Sequence, residues 1–145
     1  MCLISDKAIG DLYNRDALER EVSIVFFKKS INCLLRVQTE NNLEISENQR
    51  SAYIEFSKNE KKILSSAEQH VKEYCLNHEN WEQQPLQNLI DSITLKSIKV
   101  LFSEPGEPRR IGLILDWSLD PELGIGVLIE NEKVSEVSVQ DIVLG

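Results

Sequence analysis

No run of apolar residues in this chain approaches the ~20 that a membrane-spanning helix needs. The first residues, Met1-Cys2-Leu3-Ile4-Ser5-Asp6, lack the basic segment and apolar stretch of a secretory signal. Glycine (six) and proline (four) are scarce, which excludes fibrous and low-complexity classes. Cysteine is scarce as well: Cys2, Cys33 and Cys75 form an odd, widely spaced set with no CxxC pair. Such a set excludes a disulfide framework and fits a reducing compartment, where each cysteine behaves as a small hydrophobe. These absences predict a cytoplasmic protein. What remains is a chain of 145 residues, 41% of them apolar, enough for one domain with its own core.

Positive charge is also in short supply, and unevenly so. Sixteen Lys and Arg stand against 24 Asp and Glu, a net charge of −8. From Ile111 to Gly145 there are seven acids (Asp116, Asp120, Glu122, Glu130, Glu132, Glu136, Asp141) and one base, Lys133, so six of the eight net charges lie there. A field of that sign repels phosphate backbones and anionic membranes and attracts a cationic protein. Acidity that merely aids solubility is the plainer alternative.

Hydrophobic periodicity divides the chain into strands, then helices, then strands. Residues 21–27 and 31–37 are β-branched and aromatic at hairpin distance, with Lys28-Lys29-Ser30 between them. Asp16-Ala17-Leu18-Glu19 is either a turn or the start of the first strand. Ser46-Glu47-Asn48-Gln49 has the pattern of a capping box. Apolar residues from Ala52 to Cys75 then recur at helical steps. A break is expected at Ser57-Lys58-Asn59, with Asn59 capping a second helix, and Pro85 is expected to open a short third one. Strands follow at 97–102, 110–117, 124–129 and 133–139, with turns at 104–108 and 120–122 and a hairpin tip at Asn131-Glu132. This order predicts a single α+β domain over residues 1–145. Its antiparallel sheet, an N-terminal hairpin plus a C-terminal meander, is packed on one face by two to three helices.

Residues with reactive chemistry form no recognisable machinery. His70, Cys75 and His78 have metal-ligand character, but helical steps of five and three spread them around the helix, and zinc spacings are absent. There is no GxSxG elbow, and Gly124-Ile125-Gly126 lacks the rest of a phosphate loop, so those glycines are expected to permit close strand packing or a bulge. Asp116, Asp120 and Glu122 gather around one turn, where carboxylates can act as acid and base, hold a cation, meet a partner or simply be solvated. Trp117 beside them is either a core residue or an interface anchor, and alternation with Leu113 and Leu115 favours the core. The expectation is a protein that is not an enzyme and carries no cofactor or metal.

Three segments resemble a known family. Ser46-Glu47-Asn48-Gln49-Arg50-Ser51-Ala52-Tyr53-Ile54-Glu55-Phe56-Ser57-Lys58-Asn59, followed by Ile63-Leu64, resembles the "T-E-E-Q-x-x-A-Y-x-x-F-x-x-N…I-L" helix of a large family of small bacterial proteins of unassigned biochemical function. Residues Ser118 to Val127 are similar to its "W-D-x-E-H-G-x-G-V" turn, and Val134 to Ile142 to its closing "V-x-E-V-G-x-Q-D" strand. The likeness covers residues 46 to 145; the first 45 agree in pattern only. Leu119 stands where the family tends to carry Trp and Leu123 where it carries His, while Glu122, Gly124, Gly126 and Asp141 are retained. Members are often immunity proteins encoded beside polymorphic or contact-dependent growth-inhibition toxins. The resemblance therefore implies an immunity protein that binds a cognate toxin domain, a cationic nuclease, and neutralises it. Asp116, Trp117, Asp120, Glu122, Glu130, Glu132 and Glu136 are the expected contact residues. An acidic regulatory or scaffold module with an unrelated protein partner is the alternative. Neither nucleic acid nor membrane is expected as a partner.

Overall fold

In the computed structural model, which describes residues 2–15, 17–40 and 44–144, the described residues up to position 40 contain two successive hairpins. Strands β1 (Cys2–Asp6) and β2 (Gly10–Asn14) are joined by a turn in which the Asp6 carboxylate accepts from the Ala8 and Ile9 N–H groups, both at 3.0 Å. Gly10, at φ 94°, supplies the left-handed position that closes this turn. Sequence alone did not resolve this hairpin. The question over residues 16–19 is answered in part: Leu18 and Glu19 begin a strand, and Asp16 lies outside the described residues.

Strands β3 (Leu18–Phe26) and β4 (Lys29–Val37) pair along their whole length around a two-residue tip, Phe27 (φ 50°) and Lys28 (φ 63°). Neither residue suits the left-handed region. Tertiary contacts hold Phe27 there: its N–H donates to the Glu68 carboxylate at 2.8 Å, and its ring meets Phe26 edge-on at 4.7 Å.

Helix α1 (Glu47–Lys58) starts with the expected capping box. The Gln49 N–H donates to the Ser46 hydroxyl at 3.1 Å, and the Ser46 N–H donates to the Gln49 side-chain oxygen at 3.0 Å. Gln49 is fully buried, and its amide also donates to the carbonyls of Gln38 (2.5 Å) and Val100 (3.3 Å). The same side chain thus caps the helix and ties it to the ends of two strands. The break falls at Asn59, but this side chain does not cap α2 (Glu60–Leu76); it donates backward to the Glu55 carbonyl at 2.8 Å and so closes α1. After α3 (Leu86–Asp91), which Pro85 precedes, the chain re-enters the sheet as β5 (Ile93–Val100).

Strands β4 and β5 pair in parallel, which the long helical connection between them permits. The sheet is therefore α+β and antiparallel as expected except at this one junction. Strands β6 (Arg110–Trp117), β7 (Ile125–Glu130) and β8 (Lys133–Ser138) complete it as a meander, so all eight lie in sequence order. Asn131 (φ 48°) and Glu132 (φ 66°) form the expected last tip.

One face of the sheet, with Leu35, Ile98, Leu113 and Val127, packs on Phe56, Leu64 and Val71 of α1 and α2. Cys33 and Cys75 are buried there as free thiols, and burial pushes them up to about 11 and about 12, so both stay protonated near neutral pH. The opposite face carries a four-residue helix, α4 (Asp141–Leu144), in addition to the helices expected on one face. Val143 of α4 packs with Leu101 and Ile114 directly over Gly112, where any Cβ would lie 2.8 Å from that of Val143. The Lys99 ammonium donates to the Val143 and Leu144 carbonyls (3.2 and 2.8 Å) at its open end. Among the described residues no helix is long and apolar enough to cross a membrane.

Candidate functional site

The turn between β6 and β7 is clamped by one side chain from the far end of the chain. The Gln140 amide donates to the Leu115 carbonyl at 2.7 Å and the Asp116 carboxylate at 3.3 Å, and its N–H donates to the Leu123 carbonyl at 3.0 Å. Gly124, at φ 59°, lies beneath that amide; a Cβ there would collide with the Gln140 side chain and come within 2.7 Å of the Leu115 carbonyl oxygen. At Gly126 a Cβ would lie 2.7 Å from the Val139 carbonyl oxygen. Close packing, expected for these glycines, is therefore what they provide. The residues shared with the resembled family in this region divide cleanly. Gly124, Gly126 and Gln140 build the clamp, while Glu122 and Asp141 stand on it exposed.

Asp116, Asp120, Glu122 and Asp141 are thereby displayed at one corner on a braced backbone. Asp116 has one basic neighbour, Lys96, at 3.8 Å, with both side chains more than half exposed. Such a pair adds little and is readily exchanged for another partner. Asp120, Glu122 and Asp141 make no ion pair among the described residues. Leu123 is 48% exposed on the same turn.

An aromatic group adjoins this corner. Trp117 is 1% exposed, and its indole N–H donates to the Ser92 hydroxyl at 3.1 Å, so of its two expected roles the structure gives it the core. It has no free surface to serve as an anchor. Against it lie His78, edge-on with ring centroids 4.9 Å apart, and Tyr74 at 6.4 Å. Both are half-buried. Burial, with the Asp120 carboxylate adding to it, raises the Tyr74 phenol above its ordinary value. Tyr74, His78 and Leu123 escaped the sequence reading. Tyr74 belongs to the apolar stripe of its helix and so reads as core, and His78 was weighed as a metal ligand against an exposed residue near a helix end. Its former companions are elsewhere: His70 is exposed with Nδ1 2.8 Å from the Ser66 carbonyl oxygen, and Cys75 is in the core.

The other acids expected at the site sit at the opposite end of β7 or along β8. Glu132 is held in a two-pronged pair by Arg109 (2.7 and 2.9 Å), which removes it from the available negative charge. Glu130 lies between Arg110 and Lys133 in the strand register, so its surroundings are mixed in sign. Glu136 is exposed on β8 opposite Leu128, between the two ends. With a rise near 3.3 Å per residue, the hairpin tip is roughly 23 Å from the clamped turn. The seven expected residues are therefore not one patch. Three of them, Asp116, Asp120 and Glu122, form a corner that Asp141 completes.

No curated protein and no solved structure matches the chain. A family model matches residues 8–144, from the turn before β2 to the end of α4. The chain belongs to the family described as Domain of unknown function (DUF6985).

Proposed function

We propose that this protein is an immunity protein that binds and neutralises a cognate bacterial toxin domain, a cationic nuclease, through the corner formed by Asp116, Asp120, Glu122 and Asp141. The observation that carries the reading is the clamp. Gln140 and two glycines brace the turn, while of the four acids left outside three make no ion pair among the described residues and the fourth, Asp116, makes only a loose, exposed one with Lys96. A braced loop loses little conformational freedom on binding, so more of the contact energy is expressed as affinity. Its negative field steers a basic partner and speeds capture. Tyr74, His78 and Leu123 supply the partly apolar surface that a protein interface needs beside its charges. A nuclease must present a basic surface to bind phosphates, and that surface is what such a corner fits. The toxin itself is implied by the resemblance in the helical and C-terminal segments.

The test is protection. Cells expressing the toxin domain encoded immediately upstream survive when this protein is co-expressed, and the two proteins co-purify. The double reversal Asp120→Lys with Glu122→Lys abolishes protection while the protein still folds. Failure of the unaltered protein to protect ends the reading, and capture of an unrelated protein through the same corner would assign it to a regulatory or scaffold module instead.

A further inference from the structure

Strand β3 is an internal strand of the sheet, yet most of one edge is unpaired. On that side β2 meets it only at Asn14↔Leu18 and Tyr13↔Glu19 and then diverges. The divergence is fixed by Arg20, whose guanidinium donates to the Ile9 carbonyl and, at 2.9 Å, to the Tyr53 hydroxyl. From Glu21 to Phe26, among the described residues, no strand pairs with this edge. Alternate backbone N–H and C=O groups therefore point outward, as at an edge strand.

Beside that edge is a cavity of about 270 Å³ between the sheet and the elbow where α1 meets α2. Val22, Ile24, Leu35 and Ile98 form its floor, and Phe56 of α1 contributes to its walls. Tyr53, Ser57 and Glu60 add polar groups to the lining. An apolar cavity of about 150 Å³ already accepts benzene, so this one has room for an aliphatic side chain or two. Glu60 is half-buried and has no ion pair or hydrogen bond among the described residues, which leaves a carboxylate beside the cavity with its charge unanswered.

The geometry points to strand addition at this edge: an extended segment of a partner protein pairs with residues 21–26 of β3. Its inward-facing aliphatic side chains fill the cavity, and a lysine or arginine on the same face reaches Glu60. Backbone pairing supplies the affinity, the cavity selects alternate apolar residues, and Glu60 selects the cation. The surface lies three strands from the acidic corner, roughly 14 Å or more across the sheet. It stands whether or not the toxin reading does.

The probe is the blocked heptapeptide Thr-Val-Thr-Ile-Thr-Lys-Thr, titrated into the isotopically labelled full chain and followed by amide NMR. Saturable shifts and slowed hydrogen exchange centred on residues 21–26 are expected, with a dissociation constant below about 1 mM. Replacing the peptide's lysine by glutamate, or Glu60→Gln in the protein, weakens binding roughly fivefold, the scale of one partly screened charge pair. Ser57→Trp, at an exposed position of α1 next to the cavity, blocks the response while the rest of the spectrum is unchanged. Absence of shifts up to about 2 mM overturns the proposal. So do shifts centred on the outer edges of β1 or β8, or an affinity indifferent to Glu60.

Discussion

Single residues decide whether the acidic corner exists as a surface. Gly124 combines a left-handed backbone with the absence of space for a Cβ, so Gly124→Ala meets both strain and collision. We expect it to cost about 3 kcal/mol in denaturant unfolding and to weaken partner binding without removing any charge. Asp6 has a different sensitivity. Burial would raise its carboxyl, but the N–H groups of Ile9 and Ala8 and the Arg50 guanidinium outweigh burial and hold it below the ordinary 3.8. Ionised Asp6 therefore favours the folded state. Its contribution is complete above about pH 4 and is lost as pH falls through the lowered folded value. Unfolding measured between about pH 5 and pH 2 should lose part of its pH dependence in Asp6→Asn. At this scale the sequence was informative about types and poor about partners. That Glu132 would be taken by Arg109, 23 positions earlier, depends on which strands become neighbours, and spacing carries no trace of it.

Elements were legible where local chemistry alone sets them. The start of α1 was readable because Ser46 and Gln49 satisfy each other within one turn. The hydroxyl does more than cap, since it also donates to the Ser103 carbonyl at 2.5 Å. Ser46→Ala should therefore cost about 2 kcal/mol, the upper part of the range for a lost cap, whereas Ser46→Thr should recover most of it in thermal unfolding. The β3–β4 tip fell near its expected place although Phe27-Lys28 is a poor turn sequence, because nine alternating residues on each side set the register. Two elements were hidden. The first hairpin closes through an Asp6 turn and not through an Asn-Gly or Asp-Gly pair, and α4 has only four residues, too few for a helical period to register. The parallel pairing of β4 with β5 was hidden too, because three helices separate the strands and only the assembled core brings them together.

Over the whole molecule, the charge count overstated how concentrated the negative field is. Seven acids in the last 35 residues belong to strands that run back and forth, so alternate turns deliver them to opposite ends of the sheet. One end is offset by Arg109, Arg110 and Lys133; at the other, Asp116, Asp120, Glu122 and Asp141 have, among the described residues, one ion pair between them, that of Asp116 with Lys96. The fold class followed from the order of elements. Which acids act together followed only from topology. The motifs that carry the resemblance supply frame and surface alike: Gln49, Gly124, Gly126 and Gln140 hold the structure, and Glu122 and Asp141 face solvent. The acidic corner is most directly tested by the association rate with the toxin domain proposed as its partner, measured at about 50 mM and about 500 mM salt. The account predicts a rate that falls roughly tenfold or more with salt, and a double variant, Asp120→Asn with Glu122→Gln, that loses most of this dependence. A salt-independent rate, or the same dependence in the double variant, would contradict it.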